Sequence, residues 1–128
     1  MRGEDGSMAV AMSAAVAIVA VLAVAVASIG TLYAARAQAT NAADAAALAA
    51  AVSTYPPAST TSPAVAASDA ARSNGATLDR CQCPIDGGMR DRTVEVTALV
   101  RATVPIFGEI PVRVSSRAEF SPGEWLGR

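Results

Sequence analysis

The chain has 128 residues, with ten basic residues, all arginine, against eleven acidic ones for a formal net charge of −1, and it is 52% hydrophobic but only 4% aromatic. With no histidine and only Cys81 and Cys83 as thiols, it lacks the groups of a hydrolase triad or an ordinary zinc site. The charges beyond Ala35 cancel without forming a basic patch, which disfavours nucleic acid as a partner, and Ala and Val are enough for one small domain at most outside any membrane span.

Residues 1–7 form a polar leader containing Arg2, Glu4, Asp5 and Gly6. From Met8 to Ala35 there is no charged residue, Asn, Gln or Pro. Such a run is long enough to cross a hydrocarbon core of about 30 Å as a helix rising about 1.5 Å per residue. Residues 8–35 are therefore a transmembrane span, and the lipid bilayer is the first partner. Residues 36–53 continue without a breaker in an alanine-rich tract of high helix propensity. Span and extension form one helix of roughly 65–70 Å from Ser7. Arg36, Thr40, Asn41 and Asp44 share one side of the extension and leave an alanine face opposite, for which packing needs a partner.

Residues 54–63, with Pro56, Pro57 and a Ser/Thr cluster, read as a semi-extended linker that separates this stalk from a head, residues 64–128. Ser62-Pro63 is an N-cap signature and Asn74-Gly75 a stop, so Ala64 to Ser73 is a short helix. From Thr93 the period changes to two. Val94, Val96, Ala98, Val100, Ala102 and Val104 point one way, and Pro105 and Gly108 bracket a turn into a second strand through Val112, Val114, Ala118 and Phe120. An isolated hairpin is barely stable; this one needs the short helix, a third strand from about Ala76 to Cys81, or a partner. The fold class is α+β: a long N-terminal transmembrane helix with an Ala-rich extension, then a pilin-like head of one short helix and a two- to three-stranded antiparallel sheet.

The search for chemistry yields little. Cys81 and Cys83 are a redox pair, half of an intermolecular bridge, or a local constraint. A bridge between cysteines one residue apart strains ordinary geometry, and the turn-rich surroundings of Pro84, Gly87 and Gly88 favour the local reading. The acidic residues do not pair by periodicity, so no catalytic, cofactor-binding or metal site is expected, and the protein is not an enzyme. What remains is small residues at helical spacing, Ala23, Ala27, Thr31 and Ala35 with Gly30 and Ala34 beside them. Such rows let helices approach closely in lipid and point to assembly, with other subunits or with a second copy.

The leader Arg2 to Ser7 before the span, and above all the tract Gln38 to Ala51, resemble the TadE/TadG-like proteins of tight-adherence (Flp) pilus systems. Asn74-Gly75-Ala76, Cys81 and the closing strands resemble the actinobacterial helicase/secretion neighbourhood TadE-like branch. The resemblance implies a minor pilin-like, pseudopilin-type component that contacts other pilin-like or Tad secretion subunits, sits in the plasma membrane as a single-pass protein and carries its head on the outer side. In processed relatives a peptidase cuts after a Gly and a Glu stands fifth in the mature chain. A cut between Gly6 and Ser7 places Ala11 there, and a cut after Gly3 places Met8. A buried Glu is retained in lipid for pairing, and its absence favours an accessory subunit over a filament subunit. Charge does not set the orientation, because Arg2 faces Arg36 across the span. The alternative is an envelope protein acting as a binding module through the hairpin edge, either anchored or secreted after cleavage between Ala27 and Ser28.

Overall fold

The computed structural model describes residues 4–127. Arg2 and Gly3, with the orientation and processing expectations placed on them, lie outside the described residues. Helix α1 runs from Glu4 to Ser53 without a break, so it begins within the expected leader. Its 50 residues span about 75 Å at 1.5 Å each. Alanine dominates, Gly30 is the one glycine after Gly6, and the first proline is Pro56, so nothing in the run favours a break.

The rest of the chain packs on the C-terminal part of α1. Helix α2 (Pro63–Ser73) begins on Ser62, whose Oγ accepts the Val65 N–H. It stops at Asn74, after which Gly75 takes the positive φ of 72° that suits glycine. Strands β1 (Thr77–Gln82), β2 (Arg92–Val104) and β3 (Gly108–Phe120) form an antiparallel sheet in the order β1-β2-β3. The period-two reading of β2 holds: Val94, Val96, Ala98, Val100, Ala102 and Val104 are all buried. On the outer face the register pairs Glu95 with Arg117 at 2.8 Å and Thr97 with Ser115 at 2.8 Å, the cross-strand pairs that favour this alignment.

Beneath the sheet lies the alanine face of α1: Ala35, Ala39, Ala42, Ala43, Ala46, Ala47, Ala50 and Ala51 are all buried. Spacings of three and four residues make this one continuous stripe, and methyl groups let the sheet approach the helix closely. The partner expected for this face is therefore the chain's own head. At one end Ala46, Ala47, Ala50 and Ala51 meet Val94, Val96, Ala118, Phe120, Tyr55, Ala67 and Ala71. Towards the apolar part of α1, Ala35, Ala39, Ala42 and Ala43 meet Ala76, Ala98, Val100, Ala102 and Val104. β2 thus runs back along α1 towards the apolar run.

Residues 54–62 reverse the chain and do not hold the head away from the stalk. Thr54 donates its N–H to Ala50 O at 3.1 Å and its Oγ1–H to Ala51 O at 2.6 Å, and Thr54 O accepts the Asp86 N–H at 3.0 Å. Tyr55 is buried. A one-turn helix, α3 (Pro122–Trp125), follows β3 and was not expected, although Ser121-Pro122 repeats the Ser62-Pro63 start signal. It sets Trp125 against Phe120 and Tyr55 with ring centroids 6.4 and 6.5 Å apart.

Candidate functional surface

The N-terminal part of α1 is an apolar surface that the rest of the fold leaves uncovered. No residue from Gly6 to Ala34 is buried, and an 18-residue window of this helix reaches a mean hydropathy of 2.7. Val16 is 70% exposed, Val21 69% and Ile29 68%. Water is an unfavourable surrounding for apolar area on this scale, and a bilayer or other helices would remove that cost. The serine and threonine hydroxyls inside the run are already satisfied. Ser13 Oγ–H donates to Val10 O at 2.9 Å, Ser28 Oγ–H to Val24 O at 2.7 Å and Thr31 Oγ1–H to Ser28 O at 2.9 Å, so none of these three side chains presents an orphan hydroxyl to lipid.

The small residues singled out for packing divide at the edge of the head. Ala23, Ala27, Gly30, Thr31 and Ala34 are exposed, and Gly30 has open space where a Cβ would stand. Ala35 is covered by the chain's own sheet, so it belongs to the internal core and leaves the outward row. Gly6 and Ser7 lie exposed in the first turns of α1, and Ala27 is an exposed residue in mid-helix beside half-buried Ser28.

Cys81 and Cys83 are joined by a disulfide with their Cα atoms 5.4 Å apart. Cys81 stands opposite Val96 in the register and packs with Cys83 at the margin of the core. The bridge closes one turn at the edge of the sheet.

Two polar links tie the stalk to the head. Gln38 Nε2 donates to Asn74 O at 3.3 Å and Gly75 O at 3.2 Å. Ser116 Oγ donates to Asp44 Oδ1 at 2.5 Å. Gln38 lies so close that a Cβ on Gly75 would stand 2.3 Å from its Nε2 and would push the amide off these two carbonyls.

Arg92 is the residue that sequence reasoning missed. Its guanidinium is buried and donates to Thr54 O at 3.1 Å, to Arg90 O at 3.1 and 3.3 Å, and to the carbonyls of Asp86 and Gly88. Its Cζ lies 5.7 Å from the centre of the Tyr55 ring. The side chain therefore fastens residues 86–90 to the end of α1 through backbone oxygens. The signal was available, since period two counted back from Val94 places position 92 on the inward face.

Residues 6–53 match the model of the family described as "Putative Flp pilus-assembly TadE/G-like", in agreement with the resemblance carried by Gln38 to Ala51. The matched 48 residues lie within α1 and end where it ends; the sheet and the short helices lie beyond them. No curated protein and no solved structure matches the chain.

Proposed function

We propose that the chain is a non-catalytic, minor pilin-like component of a tight-adherence (Flp) pilus system, held in the plasma membrane by α1 with its head on the outer side. The observation that carries this is the coincidence of the family match with one continuous helix, exposed and apolar over its first part and covered by the head over the rest. The exposed small residues from Ala23 to Ala34 are the surface through which it packs against other pilin-like or Tad subunits in lipid, where close backbone approach replaces the hydrophobic drive. Ala11, where a processed filament subunit would carry Glu, favours an accessory role. The disulfide and the carbonyl contacts of Arg92 serve the shape of the head.

The test is the mature N-terminus of the protein taken from its own membranes, read by mass spectrometry, together with a photocrosslinker placed at Ala27. A start at Ser7 or at the initiator end, with crosslinks to pilin-like subunits, is the expected result. A start at Ser28 would remove the span and leave a secreted envelope protein.

A further inference from the structure

The β2–β3 turn lies at the end of the head nearest the apolar part of α1. Val104, Ile110 and Val112 share a cluster with Leu32 and Ala35 of the helix, and residues 105–107 reach beyond Val104, which pairs with Gly108. At about 3.3 Å per extended residue the tip projects roughly 5 Å further, to about the level of Ile29 on a helix rising about 1.5 Å per residue. Both elements are free of charge towards this end. On α1 the first charge after the span is Arg36. On the hairpin, residues 102–108 carry none, and the flanking Arg101 and Glu109 pair at 3.8 Å.

The tip itself is built against the usual rules of a solvated turn. Pro105 opens it, the Phe107 N–H donates to Val104 O at 3.2 Å, and the residue between them must take a positive φ, a place for Gly or Asn. Ile106 occupies it at φ 71°, an outlier for a β-branched side chain. Ile106 is 85% exposed and Phe107 72%. A strained backbone that carries two large apolar side chains away from the core is accounted for by what those side chains touch.

We propose that residues 105–107 are a membrane-interface anchor, with Ile106 and Phe107 lying at the boundary of headgroups and acyl chains beside the point where α1 enters the bilayer. Tyr33, 78% exposed on the helix near this level, is the aromatic expected at such a boundary. The head then rests on the membrane at a second point. This inference depends on α1 being a membrane span, and the experiment separates the two.

Full-length protein carrying Trp125→Phe is reconstituted in phosphatidylcholine vesicles with a single tryptophan, introduced either as Phe107→Trp or as Ile18→Trp. Lipids brominated near the headgroup are expected to quench the 107 probe several-fold more than aqueous acrylamide does, and deeply brominated lipids to quench the 18 probe. If the 18 probe is quenched by lipid while the 107 probe stays open to acrylamide, the anchor at the tip is wrong and the span stands. If neither probe meets lipid, the span reading fails and the tip inference with it. A 107 probe that is shielded from acrylamide, is not quenched by lipid, and becomes open to acrylamide when subunits are diluted in excess lipid would show a neighbouring subunit in place of lipid, and would also overturn the proposal.

Discussion

Among the described residues, Arg92 is the one charged side chain that is buried, and its partners are backbone oxygens. Arg92→Met keeps the apolar stem but strands the carbonyls of Asp86 and Gly88. A fully buried unpaired acceptor costs about 1–3 kcal/mol, and because these two carbonyls are half-buried the loss is expected near the lower end of that range. The variant is expected to lower the urea midpoint of the head and to expose residues 86–90 to proteolysis first; an unchanged midpoint would show that water replaces the guanidinium at no cost. Ala46, fully buried between helix and sheet, gives the opposite kind of test. Ala46→Leu adds volume where only a methyl group fits and is expected to destabilise by about 1–3 kcal/mol, read as a fall in Tm. The Cys81–Cys83 bridge closes so short a loop that removing it with Cys81→Ser and Cys83→Ser is expected to cost no more than about 1.5 kcal/mol on chain entropy. A larger loss in thermal melts would mean that the bridge holds the margin of the core by contact.

Among the elements, what was legible in the sequence followed period and punctuation. The alternation from Val94 to Val104, the Ser62-Pro63 start and the Asn74-Gly75 stop each have a local cause, and each element formed where that cause placed it. The alanine face of α1 was equally legible, but a stripe states only that something must cover it. That the cover is the chain's own sheet follows from the reversal at Thr54–Ser62, whose prolines and hydroxyls read as an extended linker because its anchors, Asp86 N–H and Arg92, are distant in sequence. Helix α3 was too short to show a period, and only its Ser121-Pro122 start, the counterpart of Ser62-Pro63, marked it. The stripe also makes α1 intolerant of a break beneath the sheet. Ala45→Pro would remove a backbone donor and kink the helix at a cost of about 3 kcal/mol or more, and is expected to abolish the cooperative melt of the head along with the local helicity seen by circular dichroism.

For the molecule as a whole, the boundary of folding falls inside α1 and not at its end. A fragment beginning at residue 54 keeps every strand but loses the buried alanines of α1, and a sheet of this size without that covering helix is marginal in water. It is expected to be unfolded by circular dichroism, whereas a fragment beginning at Ser28 retains the whole stripe and is expected to fold. Equal behaviour of the two would show that the head does not need the helix. The family match, confined to residues 6–53, therefore includes one wall of the head's own core as well as the apolar run.

Because α1 passes from the apolar run into the head's core with no hinge, the compass direction in which the sheet faces is set by a residue count. One residue added to an α-helix turns everything beyond it by about 100° and advances it by about 1.5 Å. A single alanine inserted after Gly30 would leave every contact within the head intact and aim the hairpin tip at a different quadrant of its surroundings. Four added residues would bring it back to within about 40° of the original bearing. Crosslinks to neighbouring subunits from Ser115, exposed on the outer face of the sheet, should therefore be lost with one insertion and partly recovered with four, and a steady decline with length would instead indicate that only the spacing matters.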